Sequence, residues 1–407
     1  MTQLPIRLAI VGGNRGGTFD QSLNIFKDKI RLTAVCDLDE GVLKQWLERY
    51  PGAKGYTSYD RLLDDPDIDA VFLATPVPLH AKQAVAAMKA GKHVLSEVIA
   101  ATSLEECWEL VETVETTGLT YMLAENYCYM RPNMMVHNLV NQGLFGELTY
   151  AEGAYLHDCR NITHYADGSL TWRGAHKKDS NYLSYPTHSL GPIAQWFGIN
   201  KPGGDELATM CTFTTQEASA HRYFQEVFGD DHPGAKKGYW KQGDSATALI
   251  QTKKSALIQL RMDVRSPRPH NMTHYALQGS NGAYESARHR NEDPLLWIKG
   301  LSPGTSVWEP GCIEAEWEPL WKHAPEYEHA SWKKWKGTAD LSGHGGGDFF
   351  ILEEFSDAII EKRRPAIDVY DAVTWSCVAP LSLQSVMQGN KPVSFPRFNK
   401  NSISTTE

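Results

Sequence analysis

The first residues with chemical potential are Gly12-Gly13-Asn14-Arg15-Gly16-Gly17, directly after an apolar run, and Asp37, twenty residues past Gly17 at the end of AVCD. A glycine-rich turn between strand and helix brings backbone N–H groups up to a pyrophosphate. A carboxylate closing the next strand accepts both ribose hydroxyls and repels a 2′-phosphate. The run matches GxGxxG at Gly12 and Gly17 and carries Asn14 at the middle position, so Asn14 or Arg15 would add side-chain donors to the anion site. Together with Asp37, the pattern predicts NAD rather than NADP.

Those residues need elements to hold them. Apolar or β-branched runs at 6–11, 31–36, 70–74, 93–95 and 120–123 alternate with helical periodicity at 19–27, 40–49, 78–90 and 104–117, with Ser58 and Ser103 as N-caps. Such alternation predicts an α/β domain over residues 1–125, a doubly wound parallel sheet of Rossmann type. Beyond it come a helix at 133–142, a strand at 148–157, a glycine- and aromatic-rich loop, a helix at 189–197 and strands at 207–214, 246–252, 256–263 and 273–279. That order predicts an α+β domain over 126–400 with a mostly antiparallel sheet, closed by helices at 349–361 and 370–387. Within it, residues 286–342 hold Trp297, Trp308, Trp317, Trp321, Trp332 and Trp335, expected to form a cover or an oligomer contact.

Composition narrows the function classes. A chain of 407 residues, 42% hydrophobic and 22% charged, suits a two-domain globular protein, and a net charge of −9 argues against a surface that tracks nucleic-acid phosphates. The N-terminus lacks a basic region followed by an apolar core, and no window reaches the roughly 18 apolar residues of a membrane span, so a cytoplasmic protein is expected. The seven cysteines are scattered without CxxC spacing, which indicates neither a disulfide framework nor a metal site.

The stretch TPVPLHAKQAVAAMKAGKHVLSEVIA resembles the TPNxxH…GKHVxxEKP pattern of the Gfo/Idh/MocA oxidoreductases, with Val77 for the usual Asn and Val98 for the usual Lys. The resemblance implies that Thr75, His80, Glu97, Val98 and Asn126 border the cofactor alongside Gly12, Asn14, Arg15, Gly17 and Asp37. In that family the lysine helps move the substrate hydroxyl proton, so this chain needs another base. The segments ENYCYMRPN, QGLFGELTYAEGAYLHD, Trp172-Arg173, YPTHSLGP, SPRP and HGGGD resemble one branch, the NAD-dependent glycosidases of glycoside hydrolase family 109, typified by bacterial α-N-acetylgalactosaminidase. Matched residue by residue, its sugar site falls on Glu125, Tyr155, Arg173, Tyr185 and His188.

The resemblance implies chemistry with no net redox change: C3 oxidation, C2 deprotonation, elimination of the C1 substituent, water addition and re-reduction, with NAD held tightly throughout. His188 is expected to take the C3 hydroxyl proton, helped by Tyr185, and Tyr155 the C2 proton. Arg173 and Glu125 would hold the ring and its substituents. His157 and His344 are further candidates. Each of these residues also has an ordinary packing role open to it, as core aromatic, helix cap or surface ion pair. Two other functions stay open, an NAD-dependent dehydrogenase releasing a 3-keto sugar and a non-catalytic NAD-binding protein. A small glycoside or oligosaccharide is the expected ligand, with a homo-oligomer formed through the C-terminal sheet.

Overall fold

A computed structural model describes residues 4–269, 271–289, 291–305 and 310–398. Trp308 lies outside the described residues. The chain divides into two compact units, the first made of Met1–Arg131, Ala330–Cys377 and the end from Arg397, the second of Pro132–His329 and Val378–Pro396. The expected division at residue 125 has no counterpart for the return of Ala330–Cys377 to the first unit. That return has a packing cause. Trp332 is fully buried, donates its indole N–H to the Tyr129 carbonyl at 2.9 Å and packs on Phe350, while Trp335 packs on Phe26 and Phe349.

The first unit is built on six strands: β1 Ile6–Val11, β2 Ile30–Cys36, β3 Lys54–Tyr56, β4 Ala70–Leu73, β5 His93–Ser96 and β6 Tyr121–Leu123. All pair in parallel in the order β3-β2-β1-β4-β5-β6, the doubly wound order in which the sheet's direction of growth reverses beside β1. Every residue of β4 is buried, as expected of a strand covered on both faces. The helices Glu40–Arg49 and Leu104–Thr117 occur where their periodicity predicts, and Ser58 and Ser103 cap by accepting from the N–H groups of Arg61 and Glu106.

The second unit carries nine strands: β7 Leu148–Leu156, β8 Leu207–Thr214, β9 Ser245–Thr252, β10 Leu257–Asp263, β11 Asn271–Gly279, β12 Gly282–Glu285, β13 Leu295–Ile298, β14 Glu318–Pro319 and β15 Val393–Ser394. They run β14-β13-β12-β11-β7-β10-β9-β8-β15, antiparallel except for β7 with β10. The helix Thr187–Trp196 packs on β7, and its closeness depends on Gly153: a Cβ there would meet the Ser189 carbonyl oxygen at 2.0 Å. The Trp-rich stretch is therefore shared, its first half adding β13 and β14 to this sheet and its second half entering the first unit. The single helix expected over 370–387 is two, Val369–Ser376 and Val378–Met387, and the division between units falls at the break. Among the described residues no helix is long and apolar enough to cross a membrane.

Candidate functional site

In the first unit, the residues expected to border the cofactor gather at the carboxyl ends of the parallel strands. After β1 the chain turns at Gly12 (φ 93°), where a Cβ would meet the Ala74 carbonyl oxygen at 2.5 Å, and enters a short helical turn, Gly13–Gly16. Gly16 lies against Ile10, with a Cβ there reaching its Cγ2 at 2.4 Å, so the close strand–helix packing falls to Gly16 and leaves Gly17 in ordinary contact with Trp46. Asp37 follows β2, and its carboxylate accepts from the N–H groups of Gly13 at 2.7 Å and Asp39 at 2.9 Å. Asn14 is exposed on the same turn. A turn with no room for a Cβ at Gly12 or Gly16, beside a carboxylate closing the second strand, fits a dinucleotide without a 2′-phosphate.

The remaining residues of that edge form a connected polar network. Arg15 sends Nε to Glu97 Oε1 at 2.6 Å and Nη1 to Thr18 at 2.8 Å, and its Nη2 lies 3.5 Å from Asp348 Oδ1. The predicted pyrophosphate donor is thus turned toward carboxylates. Asp348 is fully buried and also accepts from Asn126 Nδ2 at 2.6 Å and His344 Nδ1 at 2.8 Å. Burial works against its ionisation, but the hydrogen bond and charge of His344, then Arg15 and Asn126, hold its carboxyl below the usual carboxylate range. Gly347 makes this possible, since a Cβ there would meet the Asn126 carbonyl oxygen at 2.3 Å. His80 is buried with Nδ1 2.8 Å from the Ile99 carbonyl and Nε2 2.8 Å from the Thr75 carbonyl, tying the turns after β4 and β5 together. Val98 is 3% exposed beside Glu97, and the Glu125 carboxylate, fully buried, accepts from the Tyr127 N–H at 3.2 Å.

In the second unit, four predicted residues meet. Tyr155 lies near the end of β7, and its ring centroid is 5.1 Å from that of His188, 5.7 Å from that of Tyr185 and 5.8 Å from that of His157. Tyr185 and His188 are themselves 5.1 Å apart. Gly153 lets the helix bearing His188 approach the strand, and Tyr275, the register partner of Gly153 on β11, donates its hydroxyl to the His188 carbonyl.

Arg173 is exposed in the short helix Trp172–His176, its guanidinium 4.4 Å from the Trp172 ring centroid. Two residues that motif matching passes over connect it to the cluster. Burial raises the Cys159 thiol, and Lys177, a hydrogen bond with Tyr155, and Arg173 oppose that rise. Lys177 is itself pushed down to about 8 by burial and by the nearby Arg265 and Arg173. Neither residue belongs to a spacing pattern. Gly153, within the EGAY run, carried a usable signal: a glycine inside a strand marks close backbone approach.

Comparison with known proteins agrees with both units. Residues 6–125 match the oxidoreductase family with NAD-binding Rossmann fold, and 129–405 match the glycosyl hydrolase 109 C-terminal domain. A glycosyl hydrolase family 109 protein of Solibacter usitatus is 36% identical over 99% of this chain and 90% of its own. An alpha-N-acetylgalactosaminidase of Tannerella forsythia is 31% identical over 91% and 81%. Among solved structures, a levoglucosan dehydrogenase in complex with NADH and L-sorbose has a TM-score of 0.73 at 16% identity, covering 97% of this chain and 99% of its own, a likeness of fold alone. The family match over most of the chain joins a Rossmann cofactor domain to this C-terminal sheet, and the chain belongs to glycosyl hydrolase family 109, the NAD-dependent glycosidases of the Gfo/Idh/MocA group.

Proposed function

We propose that this protein hydrolyses an α-N-acetylgalactosaminide-like glycoside through transient oxidation at C3. The observation that carries the reading is the cluster of Tyr155, Tyr185 and His188, two phenols and an imidazole packed within 6 Å of one another, in a chain with Val98 in place of the lysine that would serve a simple dehydrogenase. The Tannerella relative's name supports the sugar class. Gly12, Asn14, Arg15, Gly17, Asp37, Thr75, His80, Glu97, Val98 and Asn126 hold the nucleotide. NAD⁺ held there tightly would supply a hydride acceptor for sugar C3 and a hydride donor for its re-reduction.

The His188 imidazole takes the C3 hydroxyl proton, with Tyr185 orienting it. The resulting ketone acidifies the C2 proton, which the Tyr155 phenolic oxygen removes, and the C1 substituent leaves. Arg173 and Glu125 hold the ring. The same reading includes a homo-oligomer formed through the second sheet, supported by exposed Phe213, Leu249 and Leu257 on one face of β8, β9 and β10. Light scattering on the purified protein checks it, and a monomer removes it.

Single-turnover absorbance of bound nicotinamide, with NMR of recovered sugar in deuterium oxide, tests the chemistry. His188→Ala should leave the nicotinamide oxidised on substrate addition. Tyr155→Phe should permit oxidation but stop deuterium entry at C2 and aglycone release, each loss on the order of 10²–10⁴-fold. Reduced nicotinamide accumulating in step with substrate consumed would instead establish the dehydrogenase that releases a 3-keto sugar.

A further inference from the structure

Three cations of the second unit gather where β7 and β10 end. These two strands run in parallel with Tyr155 opposite Met262. Beyond them the Cys159 N–H donates to the Val264 carbonyl at 3.0 Å, which brings Arg265 next to the chain that follows Tyr155. Arg265 Nη1 donates to the Gln242 carbonyl at 3.1 Å, and the Gln242 N–H donates to the Lys177 carbonyl at 3.2 Å. Arg173 and Lys177 stand four residues apart along the short helix Trp172–His176 and its cap, on one face of it. Both act by charge on the Cys159 thiol, which also shares a hydrogen bond with Tyr155.

Like charges at that spacing repel, and a charge taken out of water is ordinarily paired. Among the described residues, none of the three has a carboxylate within ion-pair distance. Glu217 and Asp244, whose charge reaches Arg265, accept instead from His221 at 3.0 Å and Ser219 at 2.8 Å, and Asp158 pairs with Arg160 at 2.8 Å. The Cys159 thiol does not supply the missing charge, because burial raises it. Arg265 is 1% exposed, with its guanidinium 4.6 Å from the Trp240 ring centroid and a buried Nε that meets no acceptor. Arg173 is exposed, its guanidinium held over Trp172. The group is closed at the back by Arg265 and open at Arg173, in a chain whose net charge is −9. Cations assembled without counter-charge, against that acidic background, draw an anion to this spot.

We infer that Arg173, Lys177 and Arg265 form an oxyanion-binding subsite, filled by a sulfate ester or carboxylate carried on the glycoside. The inference rests on the function proposed above, in which C1, C2 and C3 react, so the acidic substituent sits on C4 or C6. The Arg173 guanidinium and the Lys177 ammonium donate to its oxygens, and Arg265 adds positive charge from behind. The substrate is then an acidic sugar, and the repulsion among the three cations is relieved when it binds.

The test compares nitrophenyl α-N-acetylgalactosaminide with its C4 and C6 sulfate esters on NAD-loaded wild type, Arg173→Gln and Lys177→Met at low ionic strength. In wild type, kcat/KM for one of the esters should exceed that of the neutral glycoside by about 10- to 100-fold, the scale of a hydrogen bond to a charged group. In either variant the ratio should fall to within about threefold of unity, and a ratio cancels any effect of the substitution common to both substrates. Inorganic sulfate, titrated by calorimetry against chloride of equal ionic strength, separates the sources of the anion. Sulfate binding with no gain from either ester assigns the cluster to a free ion and overturns the substrate reading. Equal kcat/KM with no sulfate binding, or a preference that survives in both variants, overturns the subsite itself. If both variants unfold, the wild-type ratio decides. Failure of the underlying function is read separately, as absence of C2 deuterium exchange in wild type, and calorimetry with the sulfated glycosides then still reads the subsite.

Discussion

The two units hold their candidate functional residues by opposite means. At the cofactor edge of the first, charge does the holding: Arg15, Glu97, Asp348, His344 and Asn126 come from sequence positions far apart and are joined by hydrogen bonds and ion pairs of 2.6–3.5 Å around one buried carboxylate. In the second unit the centre is made of rings, Tyr155, Tyr185, His188 and His157, set by a strand and a helix pressed together over Gly153. A charged network is sensitive to the loss of one partner, because the others stay buried without it. A ring cluster depends instead on the distance between two backbones, since its edge-to-face contacts hold only while the rings stay within reach. The first unit should therefore break by changing charge and the second by changing space.

Gly153→Ala is the sharpest spatial test. The added methyl would meet the Ser189 carbonyl oxygen at 2.0 Å and Ile193 Cδ1 at 2.8 Å, and a backbone oxygen cannot swing aside as a side-chain end can. The helix must lift, carrying His188 away from Tyr155. Turnover should fall about 10²-fold or more, the scale of a misplacement near 1 Å. Stability should drop by about 1–3 kcal/mol, as for overpacking generally. Urea melts and kcat on an aryl glycoside check both. Near wild-type turnover would show that the Tyr155–His188 spacing is slack and the contrast with the first unit false.

Asp348→Asn is the corresponding charge test. The folded carboxyl lies below its unfolded value of about 3.9, so Asp348 contributes its full stabilisation above that value and loses it as pH falls through the folded one. The variant should be less stable at neutral pH by about 1.5–3 kcal/mol, the scale of a hydrogen bond to a charged group. Its stability should also fall less steeply on acidification. Parallel acid limbs for the two proteins would show that the network does not hold the carboxyl in its ionised form.

Local pattern explains which parts were legible. Strands β1 and β4 could be read because buried parallel strands are continuous apolar runs, whereas β3, with only three residues and two of them exposed, has no such pattern. The helix break at Cys377 is masked by the apolar character of both Val369–Ser376 and Val378–Met387, and its one signal is Pro380, which a continuous helix would not tolerate but the first turn of a new one does. Trp332 and Trp335 announced themselves as aromatic, but their partners Tyr129, Phe26 and Phe349 are set by tertiary packing. At the site, the family resemblance picked out Tyr155, Tyr185 and His188, whose rings lie together. The glycine-rich turn offered Asn14 or Arg15 to a phosphate and gave no sign that Arg15 pairs with Glu97, a contact across 82 residues. Lys177 and Cys159 follow no repeat at all.

Asp37→Ala removes a carboxylate that accepts from Gly13 and Asp39 and that the ribose reading requires. NAD affinity should weaken by about 1–3 kcal/mol, measured by calorimetry on protein stripped of nucleotide, and discrimination against NADP should relax. Unchanged affinity for NAD would assign the carboxylate to the loop alone.

The smallest expected effect asks whether the ring cluster is really free of charge. Lys177 is pushed down to about 8 by burial, with Arg265 and Arg173 adding repulsion, against about 10.4 for the unfolded chain. Its charged form is therefore disfavoured in the folded protein. The penalty is complete below pH 8, shrinks as pH rises between the two values and is gone above the upper one. Lys177→Met should raise the melting temperature at neutral pH by a few degrees at most, with the gain fading above pH 8. Activity carries the sharper reading. Lys177 and Tyr155 both interact with Cys159, and in the proposed cycle, where Tyr155 is the base for the C2 proton, a cation at 177 would assist it. Without it, the pH profile of C2 deuterium exchange should move to higher pH while C3 oxidation, followed by bound nicotinamide absorbance, keeps its own profile. An exchange profile that stays in place would leave the second unit working by geometry alone, and the contrast between the two regions would then be complete.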